Sequence, residues 1–134
     1  MSPEDLETVR RAYDAFARGD LETLTTFLAP DIEWRTTPEV PFMGNYSGLD
    51  EFLRGMGEWT GAFDGITTEV EEMIDAGENV IVRHRMRGRG RDSGVEVDLE
   101  ICQVVAVRDG KLIRMHDYST REEALEAAAQ LPRS

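Results

Sequence analysis

The segment Val82-Arg83-His84-Arg85-Met86-Arg87 places a cation at every second position, and Glu96-Val97-Asp98-Leu99-Glu100-Ile101 does the same with acids a few residues later. Only an extended chain sends such residues to opposite sides, so both segments read as strands. Folding one back on the other through Gly88 to Gly94 predicts the cross-strand pairs Arg87 with Glu96, Arg85 with Asp98 and Arg83 with Glu100, each opposite in sign. The same register sets Met86 beside Val97, His84 beside Leu99 and Val82 beside Ile101. Charge and burial therefore select one antiparallel hairpin with an apolar face that must be covered by something else.

Helices near the N-terminus supply the cover. Ser2 can cap a helix with Pro3 in its first turn, and Leu6, Val9, Tyr13, Phe16 and Ala17 recur at helical spacing up to Gly19. Asp20 can cap a second helix bearing Leu21, Leu24, Phe27 and Leu28, ended by Pro30. Ile32 and Trp34 then alternate with Glu33 and Arg35 as a short strand, and a Pro-punctuated loop runs to Tyr46. A third helix from Ser47 or Gly48 to about Gly61 aligns Leu49, Phe52, Leu53, Met56 and Trp59. Further strands are expected over 67–75, 80–87, 95–107 and 112–118. Ser119 with Glu122 reads as a capping box before a last helix carrying Ala124, Leu125, Ala128 and Leu131. Helices followed by an antiparallel meander is the α+β class, and 134 residues suit one domain, 1–134.

The charge narrows the partners. Twenty-seven acids against 15 bases leave a net charge of −12, which opposes binding to nucleic acid or to an anionic membrane surface. The arginine stripe has acidic partners of its own, and Gly88, Gly90 and Gly94 lack the spacing of a dinucleotide-binding turn. With no basic-then-apolar leader and a single cysteine, Cys102, the expectation is a cytoplasmic protein without disulfides. His84 and His116 fall on opposite strand faces, so no metal site and no cofactor are expected.

The turn Val107-Arg108-Asp109-Gly110-Lys111 permits two registers. A two-residue loop would turn Arg114, His116 and Tyr118 toward the face of Ile101, Gln103 and Val105. A three-residue loop with Gly110 left-handed would turn Ile113, Met115 and Asp117 there instead, and is preferred because it buries fewer cationic groups. The inner face then holds Val82, His84, Met86, Val97, Leu99, Ile101, Gln103, Val105, Ile113, Met115 and Asp117. Opposite it stand Tyr13, Phe16, Trp34, Phe52, Met56 and Trp59. In that apolar setting a carboxylate needs a reason, and a desolvated carboxylate is a general base for protons beside a carbonyl. Tyr46, His84 and Gln103 are candidate donors to the developing enolate oxygen. The plainer alternatives are that Asp117 meets solvent at the sheet's end, that His84 is a satisfied core histidine and that Gln103 serves a bulge. His116, Tyr118 and Cys102, on the outer face, suit a subunit interface.

Several runs together resemble the SnoaL-like, polyketide cyclase-like branch of the nuclear transport factor 2-like (NTF2-like) and ketosteroid isomerase-like superfamily. They are Ala15 to Leu21, Leu28 to Trp34, Gly44 to Gly48, Phe52-Leu53, Ile74 to Val80, Arg108 to Leu112, and Tyr118. The resemblance implies a cone, a curved antiparallel sheet wrapped around helices and enclosing an apolar pocket, and a homodimer through the outer sheet face. It aligns Asp117 with the late acid that resembles the base of polyketide cyclases. Where ketosteroid isomerases carry a helix-one tyrosine this chain has Ala12 beside Tyr13. Their two acids fall near Thr36 and Thr37 and at Gln103, and the Arg between two Asp of epoxide hydrolases is not evident.

Two functions follow as expectations. The first is cofactor-independent isomerase, cyclase or dehydratase chemistry on a small apolar carbonyl-bearing metabolite, with Asp117 as base. The second is a non-catalytic ligand-binding or dimeric interaction domain, favoured if the cone lacks a cavity of roughly 300 Å³.

Overall fold

The computed structural model describes residues 1–36 and 44–130. Helix α1 (Pro3–Ala17) begins where its cap predicts, the Ser2 hydroxyl accepting from the Asp5 amide at 3.1 Å. Gly19, at φ +72°, turns the chain into α2 (Leu21–Thr26), whose cap Asp20 accepts from the Thr23 amide at 3.1 Å. This helix is shorter than its apolar spacing suggests. Leu28 already belongs to strand β1 (Leu28–Arg35), and Pro30 lies inside that strand rather than ending the helix. It occupies the interval between Leu28 and Glu33 where the ladder shifts register, so the missing amide breaks no regular pairing.

Strand β2 (Asn45–Ser47), read from sequence as loop, precedes α3 (Leu49–Gly61), β3 (Phe63–Ala76), β4 (Asn79–Gly90), β5 (Glu96–Arg108), β6 (Lys111–Tyr118) and α4 (Arg121–Gln130). The capping box of α4 sits one residue later than expected. The Thr120 hydroxyl accepts from the Glu123 amide at 3.1 Å and donates to the Glu123 carboxylate at 3.2 Å. Thr37 and Leu131 lie outside the described residues.

The curved, open sheet runs β2-β1-β6-β5-β4-β3. Strands β3 to β6 form the expected meander, but β1 joins β6 in parallel, so the sheet is mixed. The β4–β5 hairpin keeps the predicted faces and slips by two residues: Arg89 faces Glu96, Arg87 faces Asp98, Arg85 faces Glu100 and Arg83 faces Cys102. A tight turn causes the slip, Gly90 donating to the Val95 carbonyl at 2.8 Å. Two expected ion pairs survive as diagonals, Arg85 with Asp98 at 2.8 Å and Arg83 with Glu100 at 3.4 Å. On the inner face His84 stands beside Ile101, Met86 beside Leu99 and Val82 beside Gln103.

The β5–β6 turn corrects the preferred loop while keeping its outcome. Asp109 and Gly110 have φ of +53° and +73°, and Arg108 pairs with Lys111, which is the two-residue loop. One extra residue then enters β6: Leu112 opposes Val107 but Arg114 opposes Ala106, leaving Ile113 as a bulge. Beyond it Met115 faces Val105 and Asp117 faces Gln103. Leu112, rather than Ile113, is fully buried in the core.

Helices α1, α2 and α3 pack on the inner face around Val9, Leu24, Ile32, Phe52, Val82 and Val105. Helix α4 packs on the outer face, its Ala124 and Ala128 covering Ile81, Cys102 and Val104. This overturns the residues expected at an interface. Cys102 is sealed by α4, Tyr118 packs against the same cluster, and buried His116 places Nε2 2.9 Å from the Glu33 carboxylate.

Candidate functional site

The cavity between α1, α2, α3 and the inner sheet face takes its floor from β5 and β6. Because of the bulge, Gln103 and Asp117 stand opposite each other there. The Gln103 amide Nε2 donates to Asp117 Oδ1 at 2.7 Å, and the Trp34 indole donates to Oδ2 at 3.1 Å. Tyr13 donates its hydroxyl to Gln103 Oε1. A tyrosine from α1, an amide from β5, a carboxylate from β6 and an indole from β1 thus form one hydrogen-bonded chain.

No cation stands in that chain. Burial pushes the Asp117 carboxyl up to about 7, against the lowering effect of its bonds from Gln103 and Trp34. Burial pushes the Tyr13 hydroxyl up as well, with the Asp117 charge adding to it. His84, whose ring meets that of Tyr13 edge-on at 5.7 Å, is pushed down to about 4 by burial, which Gln103 partly offsets. At neutral pH the site therefore holds a neutral imidazole and a carboxyl group near its midpoint, the condition in which one group can both take and return a proton.

Of the residues expected at the site, Asp117, His84, Gln103, Tyr13 and Phe16 line the cavity. Trp34, Met56, Trp59, Ile101 and Met115 complete that group. Four others do not reach it. Tyr46 lies behind Trp34, ring centroids 5.2 Å apart, and its hydroxyl donates to Glu58 at 3.3 Å, because the unexpected strand β2 sets it under α3. Phe52 is fully buried on another side of Trp34, at 5.4 Å. Met86 and Leu99 pair one step beyond His84 and Ile101, past the end of the cavity.

The sequence reading missed Ala12, Leu24, Thr36 and Leu112 as wall residues. Ala12 follows Val9 by three, so periodicity alone could have found it. Leu112 required knowledge of the bulge. The wall is overwhelmingly apolar, and the cavity volume is about 50 Å³. That is room for a few water molecules and short of the roughly 300 Å³ of ordinary small-molecule sites. Met56 and Met115, both unbranched, are the wall residues most able to repack around something larger.

A curved sheet wrapped around N-terminal helices, with a polar chain at the bottom of an apolar cavity, defines an NTF2-like protein. The model of the SnoaL-like domain matches residues 9–115, and the chain belongs to that family. It is 31% identical over 125 residues to the uncharacterized protein Rv0034 of Mycobacterium tuberculosis strain H37Rv, covering 92% of this chain and 94% of that one. Among solved structures it is similar to an NTF2-like protein of Burkholderia thailandensis, with 28% identity, 98% and 100% coverage and a TM-score of 0.78. It is also similar to Bal32a from a soil-derived mobile gene cassette, with 26% identity, 92% and 95% coverage and a TM-score of 0.78.

Proposed function

We propose that this SnoaL-like protein binds a small apolar carbonyl-bearing metabolite and moves a proton on it without a cofactor, as an isomerase, cyclase or dehydratase. The observation that carries the reading is Asp117: a carboxylate in an apolar wall, anchored by Gln103 and Trp34 and facing no cation among the described residues. Asp117 takes the proton from the carbon beside the carbonyl, the electron pair of that C–H bond becomes a new C=C bond, and the carbonyl π pair moves onto oxygen to give an enolate. The neutral carboxyl then returns the proton to another carbon, or to a departing hydroxyl. The second amide hydrogen of Gln103 is the donor nearest this chemistry, since Tyr46 is engaged with Glu58.

The test is hydrogen–deuterium exchange at the α-carbon of cyclohexanone and cyclohex-2-enone in heavy water, followed by NMR. The expected result is acceleration by the protein and its loss in Asp117→Asn; equal rates with and without protein would sink the reading. The small cavity volume favours a second reading, a non-catalytic ligand-binding or dimeric interaction domain of the same fold. Ligand binding without exchange would support it. We take the protein to be cytoplasmic and homodimeric, a second copy packing on the part of the outer face that α4 leaves open, around Arg85 and Arg87. A monomer in sedimentation at micromolar concentration would remove the dimer.

A further inference from the structure

Every hydrogen bond of the cavity chain points toward Asp117. The Trp34 indole donates to Oδ2 at 3.1 Å, the Gln103 amide nitrogen donates to Oδ1 at 2.7 Å, and the Tyr13 hydroxyl donates to the Gln103 amide oxygen. The middle link differs in kind from the two ends it joins. An ionised carboxylate only accepts and an indole N–H only donates, but a carboxamide has a donor side and an acceptor side and fits either way round.

Turned over, the Gln103 amide would set its oxygen against a carboxylate oxygen, acceptor against acceptor, and its nitrogen against the Tyr13 oxygen. The Tyr13 proton, whose acceptor among the described residues is that amide oxygen, would lose its partner. Only a protonated Asp117, giving its own O–H to the amide oxygen, suits the inverted arrangement. The Tyr13 bond therefore favours the orientation that serves the ionised carboxylate. By drawing on the amide oxygen it also strengthens the N–H that Gln103 offers to Asp117.

We infer that Tyr13 is a positioning residue for the base: by orienting and polarising the Gln103 amide, its hydroxyl holds Asp117 in the ionised form that takes the substrate proton, while itself bonded to Gln103 and not to Asp117. This rests on the reading of Asp117 as a base, and gives Tyr13 a task beyond the ligand wall expected from sequence. The other titratable groups lining the cavity are Tyr13 itself, from α1, and His84, from β4; α2, α3, β1 and β5 contribute none among the described residues. His84, pushed down to about 4 by burial, is neutral where Asp117 titrates, so a shift in that titration reports on the hydrogen-bonded chain.

Tyr13→Phe keeps the ring and removes the hydroxyl. Its Asp117 midpoint, read by carboxyl-carbon NMR, is expected to rise by about half a pH unit or more. The inflection in the pH profile of α-carbon exchange should rise with it, whereas a purely structural loss would lower the rate without moving the inflection. In a Gln103→Leu background, Tyr13→Phe is expected to leave the midpoint where Gln103→Leu alone puts it. An unmoved midpoint in Tyr13→Phe, or an equal rise with and without Gln103, would overturn the inference. No exchange by the native protein, with the midpoint shift intact, would instead overturn the base reading and leave the hold of Tyr13 on the carboxyl standing.

Discussion

Gln103 and Asp117 face each other across the β5–β6 ladder, and the amide of the first donates to the carboxylate of the second at 2.7 Å. This bond holds the Asp117 carboxyl below where burial alone would put it. Gln103→Leu is expected to raise the Asp117 titration midpoint above about 7, as read by carboxyl-carbon NMR. It also strands the Tyr13 hydroxyl, for a stability loss of about 1–3 kcal/mol in urea denaturation. An unchanged midpoint would show that the pair is not coupled.

Asp117 and His84 pull the stability profile in opposite directions. A carboxyl raised from 3.8 to about 7 leaves the native state binding the extra proton, so its contribution is full below about pH 4 and is lost as pH rises toward 7. At about 1.4 kcal/mol per pH unit this reaches at most about 4 kcal/mol, less for a partly exposed residue. His84, lowered from 6.5 to about 4, contributes stability above pH 6.5 that is lost as pH falls toward 4. Relative to the native protein between pH 4.5 and 6.5, Asp117→Asn should become more stable as pH rises. His84→Phe should become less stable over the same range. Parallel profiles for all three proteins would refute both assignments.

Two glycines of α3 should respond with opposite signs. A Cβ on Gly55 would lie 2.9 Å from the Tyr46 ring, which is itself wedged against Trp34, whereas one on Gly57 meets nothing within 4 Å. Gly57→Ala is expected to stabilise by about 0.5–1 kcal/mol through helix propensity. Gly55→Ala is expected to destabilise by about 1–3 kcal/mol through overpacking. Chemical denaturation of the two variants decides the matter, and a stabilising Gly55→Ala would contradict the packing described.

Cys102 should be chemically silent. It is fully buried under α4, and burial, aided by the Glu100 charge, pushes its thiol up to about 11. At pH 8 an aromatic disulfide reagent should label the native chain at least about a hundredfold more slowly than the unfolded one. Comparable rates would mean that α4 does not seal the outer face.

Much of this was legible in the sequence, and the omissions have physical causes. Caps such as Ser2 and Asp20 act locally and were readable, as were the two faces of β4 and β5, because a side-chain period of two survives any even slip. The two-residue slip itself was not readable, since Arg85 finds Asp98 diagonally almost as well as directly. β2 is too short to carry a pattern, and without it Tyr46 could not be set behind Trp34. The chain Tyr13–Gln103–Asp117–Trp34 joins four elements, so its members were nameable singly but not their bonds. Asp117 came to the correct side through a loop that the chain does not use.

The bulge at Ile113 gives that last point a wider meaning. Strand orientation is a matter of odd and even, and one inserted residue sets the parity of everything from Arg114 to Tyr118. Pairing Ile113 in register with Ala106 would turn Arg114 and His116 toward the cavity and Asp117 out, replacing an acid with a cation and an imidazole, whereas deleting Ile113 would heal the bulge and keep Asp117 opposite Gln103. In a scaffold of this kind, the chemistry of the wall turns on whether one residue is paired or left out of the ladder, without any change of residue at the site.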